Sequence, residues 1–366
     1  MKKLIALIMV LALALSMVAC GGGSGGGTSD NSSDESVLIG VSMPTQSLQR
    51  WNQDGENMKA KLEEAGYKVD LQYGGDNDIP TQVNQIENMI SQGCKVLVIA
   101  AIDGSSLTEV LKQAKEQNIP VIAYDRLIMN SDAVSYYATF DNFQVGVIQG
   151  QYIETALNLK TEKGPFNIEL FTGDPADNNA TFFFNGAMSV LKPYIDSGVL
   201  KVLSGQTTQA QVSTADWKSE NAQSRMDNLI SSNGYSPKGG TKLDAVMCSN
   251  DSTALGVTNA LVSAGFTKDD MPIITGQDCD KPNTKNMIQG LQSMSVFKDT
   301  RTLAEKVVGM VDAIVKGSEP EINDTKTYDN GTGVIPSYLC APVICTVDNY
   351  KELLIDSGYY KESDIQ

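Results

Sequence analysis

NIPVIAYDRLIMNSDAVSYYATFDN, residues 118–142, holds two apolar runs that each stop at a polar pair. The run Ile119 to Tyr124 ends in Asp125-Arg126, and Tyr136 to Phe140 ends in Asp141-Asn142. Both are rich in β-branched and aromatic residues and read as strands. Ligands of open α/β sheets bind outside the carboxyl ends of the strands. The two pairs are therefore expected to form half of a polar ligand site.

Working outward, the chain alternates between strand and helix in both directions. Before the stretch come a strand at Val37–Met43, a helix over about 48–65, a strand at Val69–Tyr73, and a helix carrying Ile79, Val83, Ile86, Met89 and Ile90 on one face. Asp78 suits its N-cap, Pro80 its first turn and Gly93 its stop. A strand at Lys95–Ala101 and a helix at Leu107–Gln117 follow. After Asn142 the rhythm restarts, with strands at Phe166–Phe171, Val199–Leu203, Leu243–Cys248 and Pro272–Gly276, and helices between them. Short strand-helix-strand units imply parallel sheets covered on both faces. Two similar α/β halves thus succeed one another, with Asp141-Asn142 at the seam. The tail reads as a strand at Ser293–Phe297, a helix at Leu303–Val315, an irregular segment and a last helix near Tyr350–Asp356.

The chain has 366 residues, enough for two domains. Its 28 Lys and Arg against 44 Asp and Glu argue against nucleic acid as a partner, because phosphate backbones reward clustered cations. There is no histidine, which excludes a Ser-His-Asp triad, a Cys-His dyad and any His-containing zinc site. Asp76-Asn77-Asp78 is too short for a calcium loop and lacks the distal ligands, so no metal and no cofactor are expected.

Residues 1–19 read as a secretory signal, with Lys2 and Lys3 ahead of an apolar run from Leu4 to Leu15. Met17-Val18-Ala19-Cys20 resembles a bacterial lipoprotein cleavage box, which implies a lipid on Cys20 and attachment to a membrane. Gly21 to Ser36 carries no apolar residue and reads as a flexible tether spanning about 20–24 Å. Cys94, Cys248, Cys279, Cys340 and Cys345 remain, an odd number, so at least one is unpaired within the chain. Cys340 and Cys345 lie five extended residues apart and are not expected to pair with each other; Cys248 with Cys279 stays open.

Polar groups recur where other apolar strands stop: Asp177-Asn178-Asn179, Asn250-Asp251 and Gln277-Asp278. Arg50-Trp51 opens the first helix, and Trp217 and Lys298 fall near other termini. Caps and turns favour Asp and Asn at single positions, yet the clusters recur in both halves. Carboxylates accept from hydroxyls, amides donate and accept, and Arg donates in a fixed fork, a combination that suits a polyol. Trp51 and Trp217, the two tryptophans, could cover the C–H face of a sugar ring.

These residues resemble the extracytoplasmic solute-binding proteins of sugar ABC importers, most of all the xylose-binding and multiple-monosaccharide-binding group. The resemblance rests on Arg50-Trp51, QIENMI (85–90), KVLVIAAIDG (95–104), VIAYDRLI (121–128), ATFDN (138–142), DNNA (177–180), SNDSTA (249–254), TGQDCD (275–280), VFKDT (296–300) and IPSYL (335–339). It implies an α/β type I periplasmic binding fold, two Rossmann-like lobes with parallel sheets joined by a three-segment hinge. The lobes it implies are 37–142 plus about 280–330, and 143–279 plus about 331–366. Hinge crossings are expected after Asn142, near 277–281 and near 329–336. The polar contacts implied are Arg50, Asp125, Arg126, Asp141, Asn179, Asn250, Asp251, Gln277, Asp278 and Lys298, with Trp51 and Trp217 as stacking rings.

The function implied is a lipid-anchored, monomeric receptor on the outer face of the cell membrane. It would capture an aldose of the xylose, glucose or galactose class by cleft closure and deliver it to an ABC transporter permease. Handing the closed form to a membrane chemoreceptor or sensor kinase is a compatible alternative. A carboxylate-dependent glycosidase is disfavoured because amides and arginines outnumber the carboxylates such chemistry needs. A repressor would need a DNA-binding head, where this sequence has a signal and a glycine tether.

Overall fold

The computed structural model describes residues 36–365. The expected signal segment, Cys20 and all but the last residue of the tether lie outside the described residues. The first half is built on β1 (Leu38–Met43), α1 (Gln49–Glu64), β2 (Lys68–Tyr73), α2 (Ile79–Ser91), β3 (Val96–Ile99), α3 (Thr108–Glu116), β4 (Val121–Tyr124) and β5 (Val134–Phe140). Its six-stranded sheet has the order β11-β5-β4-β3-β1-β2, all parallel, with β11 spanning Ser337–Cys340. Alternation along β3 divides the core: Leu97 and Ile99 pack with Ile86 and Met89 of α2, while Val96 and Val98 face Met58 and Leu62 of α1.

The second half runs through α4 (Asn142–Ala156), β6 (Phe166–Phe171), α5 (Asn178–Asp196), β7 (Leu200–Lys201), α6 (Gln209–Val212), α7 (Ser219–Asn233), β8 (Ala245–Cys248), α8 (Asp251–Ser263) and β9 (Ile273–Ile274). Its sheet, in the order β7-β6-β8-β9, is again parallel. Met247 and Ala245 pack with Leu191 of α5, and Val246 and Cys248 with Met226 of α7 and Val257 of α8. Two α/β lobes of one architecture result, the two halves expected from the alternation and the type I arrangement that the resemblance implies.

The tail departs from the expected partition. Helix α9 (Lys281–Ile288) and β10 (Ser295–Phe297) stay with the second lobe: Asn283 Nδ2 donates to Asp251 O at 2.8 Å, and Val296 N to Gly276 O at 3.0 Å. Helix α10 (Thr300–Val315) returns to the first, where Leu303 and Val307 join the core under β1 and β3. Strand β11 then pairs with β5, Ser337 opposite Tyr137 through Cys340 opposite Phe140, and β12 (Val343–Cys345) pairs antiparallel with β10. The chain thus passes between sheets after Phe140, between Phe297 and Thr300, and between Cys340 and Val343. The last two crossings lie downstream of 277–281 and 329–336, and 331–340 belongs with the first sheet. Cys340 and Cys345 end strands of different sheets, and Cys94, Cys248, Cys279, Cys340 and Cys345 are all buried free thiols.

Candidate functional site

The strands of both lobes deliver their polar ends to one place. A cavity lies there, lined by residues of both lobes. From the first lobe it is lined by Arg50, Trp51, Asp125 and Arg126, and by Lys298 where β10 hands over to α10. From the second come Asn179, Trp217, Asn250, Gln277 and Asp278.

Helix starts position several of these groups. Asp177 accepts from Asn179 N at 3.0 Å and Asn250 from Thr253 N at 3.0 Å, so the caps of α5 and α8 sit beside the cavity. The capping and ligand readings of these clusters are thus compatible in space.

Charge is fixed by mutual pairing. Arg50 Nε holds Asp54 at 2.9 Å, one Nη holds Asp125, and the other reaches Asp278 of the second lobe at 3.4 Å. Lys298 Nζ, almost fully buried, lies 3.0 Å from the same Asp278 oxygen. Arg126 pairs with Asp177 at 3.1 Å and donates to Ala101 O at 3.0 Å. Burial pushes the Asp125 carboxyl up, but Arg50 and Lys298 outweigh it and hold the group below the usual carboxylate range. Burial dominates at Asp280, which with Asp278 beside it is pushed up to about 7 despite Arg50 and Lys298.

The backbone carries strain at the same place. Asp125, Asp278 and Trp217 have φ of 58°, 98° and 56°, a region that disfavours side chains. Such residues persist only where their surroundings over-determine them, and they cluster at functional sites. Around Asp125 the support is visible: its carbonyl accepts from Tyr137 Oη at 2.6 Å, Asn179 Nδ2 at 2.7 Å and Thr139 Oγ1 at 3.1 Å. Trp217 lies flat on Gly173, where an added Cβ would come within 1.9 Å of the ring. Trp217 Nε1, Gln277 Oε1 and Asp280 Oδ1 are buried without hydrogen-bond partners, one donor and two acceptors.

Two expected contacts lie elsewhere. Asp141 caps α4, accepting from Gln144 N at 3.0 Å, and does not line the cavity. Asp251 is fully buried behind it, accepting from Gln292 Nε2 at 2.9 Å, Ser295 Oγ at 3.0 Å and Asp280 N at 2.8 Å. With those donors and Gly276 packed against it, its carboxyl faces the second lobe's interior. Conversely, Phe183, Ser252 and Asp280 line the cavity beyond the expected contacts, and so does Asp177 of the Asp177-Asn178-Asn179 cluster. Asp177, Ser252 and Asp280 sit within two residues of expected contacts, and Phe183 is one helical turn beyond Asn179. Adjacency to a polar cluster was the available signal. Trp51 meets two guanidinium groups, Arg50 and Arg126 at 5.1 and 5.0 Å from its ring centroid.

Two lobes with their strand ends facing one cavity lined by polar side chains define a solute-binding architecture. Residues 39–319 match the periplasmic binding protein domain, and the chain belongs to that family. It is 53% identical to the multiple sugar-binding periplasmic protein SbpA of Azospirillum brasilense over 91% of this chain and 92% of that one. It is 37% identical to the D-xylose-binding periplasmic protein of Escherichia coli, covering 90% and 92% of the two chains. Among solved structures, an ABC transporter solute-binding protein from Clostridium phytofermentans with bound β-D-glucose superposes with a TM-score of 0.87 at 66% identity, covering 90% of this chain and 100% of that one.

Proposed function

We propose that this chain is an extracytoplasmic receptor that binds one monosaccharide between its lobes and presents it to an ABC importer. The observation that carries the reading is the cavity's composition. Arg50, Arg126 and Lys298 face Asp125, Asp177, Asp278 and Asp280, so fixed positive charge is already matched by carboxylates. A phosphorylated or carboxylated ligand would meet no surplus of cations, whereas a neutral polyol can use every donor and acceptor. Trp51, Phe183 and Trp217 supply apolar walls for ring C–H groups. The ligand contacts are Arg50, Trp51, Asp125, Arg126, Asn179, Trp217, Asn250, Gln277, Asp278 and Lys298, joined by Asp177 and Asp280.

The ligand class follows the relatives' own: multiple sugars, D-xylose and β-D-glucose. A ligand touching both lobes favours the closed arrangement because only there are both sets of contacts made. Asp125, Asp177 and Asp278 are each tied to a cation, which suits holding hydroxyls rather than transferring protons. The Cys20 lipid and the glycine tether would keep this body at the outer face of the membrane, beside the permease.

The test is a melting-temperature screen with xylose, glucose, galactose, arabinose and ribose. At least one aldose is expected to raise the melting temperature in a saturable way. No shift with any of the five would contradict a monosaccharide site.

A further inference from the structure

Beside the inner cavity lies a second chamber. Leu48, Arg126 and Trp217 line both, so the two are contiguous. The outer walls again come from both lobes, Thr45, Ser47 and Asp76 on one side and Asp174, Asp216 and Lys218 on the other. Lys218 Nζ spans the gap, 3.9 Å from Asp76 Oδ2.

We infer that the outer chamber is a second saccharide subsite, so that the protein accepts a sugar of two linked rings, one in each chamber. This rests on the monosaccharide reading of the inner chamber and extends it. The lining alternates hydroxyl-binding groups with apolar ones: Asp76, Asn77 and Asp174 stand among Pro44, Ile102 and Pro175. Two cations, Arg126 and Lys218, face three carboxylates, which selects a neutral hydroxylated ligand over an anion. The dividing wall is Trp217. Its backbone is held at φ 56°, its carbonyl accepts from Ser252 Oγ, and its ring rests on Gly173. Trp217 is 5% exposed, and its buried Nε1–H has no partner. An unpaired buried donor in a residue that both chambers share is a group that a ligand hydroxyl could satisfy. Asp76 is pre-organised on the far wall, since the Thr45 and Ser47 hydroxyls both donate to its Oδ1.

The experiment compares α- and β-linked disaccharides of glucose and xylose with their parent monosaccharides by calorimetric titration of the full-length protein. It uses the unaltered chain and two cavity-filling variants, Ala176→Trp and Ala215→Trp, at exposed positions of the outer wall that are absent from the inner cavity. At least one disaccharide is expected to bind. Each variant should weaken it by about tenfold or more while leaving the monosaccharide within about twofold, because specificity is a difference of affinities. Monosaccharide binding with no disaccharide binding would overturn this inference alone. Disaccharide binding indifferent to both variants would overturn it too, by placing the second ring elsewhere. Failure of every sugar would instead remove the reading on which it rests.

Discussion

Arg50 of α1 lies 3.4 Å from Asp278 of the second lobe while holding Asp54 and Asp125 of its own. One guanidinium therefore orders the first lobe's carboxylates and reaches across to the second. Asp54 anchors it from behind, itself accepting from Tyr124 Oη. Arg50→Ala leaves two buried carboxylates without their partner and is expected to destabilise the protein by about 3–5 kcal/mol. Asp278→Asn keeps the shape and is expected to weaken sugar binding with a smaller loss of stability. Denaturant unfolding and ligand titration of both variants separate the two effects.

Asp251 gives the opposite pattern. Asp251→Ala strands the Gln292, Ser295 and Asp280 donors, at about 1–3 kcal/mol for each left buried. The melting temperature of the unligated protein is expected to fall, while the increment produced by a bound sugar persists. Loss of that increment in a variant that still folds would place Asp251 in the ligand shell after all.

Asp141→Ala removes the cap of α4 and is expected to cost about 1 kcal/mol. Sugar affinity should stay within about twofold, since the side chain lies outside the cavity.

These two aspartates mark the boundary of what the sequence makes legible. Strand-helix alternation fixed the two-lobe plan because apolar runs of β-branched residues and one-sided helices have distinct periods. Clusters at strand ends located the site for the same topological reason. What periodicity could not say is which way each carboxylate turns. Asp141 and Asp251 both head helices, yet one faces solvent as a cap and the other turns inward. The tail departs from the expected partition for a related reason. Strand β11 follows an irregular segment, 316–336, whose pairing with β5 has no local signature, and α9 lies in a polar stretch, 281–288, that resembles a linker.

Asp280 sets a pH dependence. Its carboxyl ionises near 3.9 in an unfolded chain and near 7 in the folded protein, where burial and Asp278 oppose the charge against Arg50 and Lys298. Between those values the folded state binds the extra proton, so this contribution is full below about pH 4 and is lost as pH rises through about 7. Relative to the unaltered chain, Asp280→Asn is expected to show a melting temperature that declines less between pH 4 and 7. Identical profiles for the two proteins would refute the assignment.

On the proposed function, the cavity between the lobes takes one neutral sugar. Calorimetric titration with D-glucose tests it most directly, with an Asp125→Asn variant as control. A saturable isotherm with one site per chain is expected, strongly weakened in the variant. No heat of binding with D-glucose or any of the other four aldoses, from a folded protein, would contradict it.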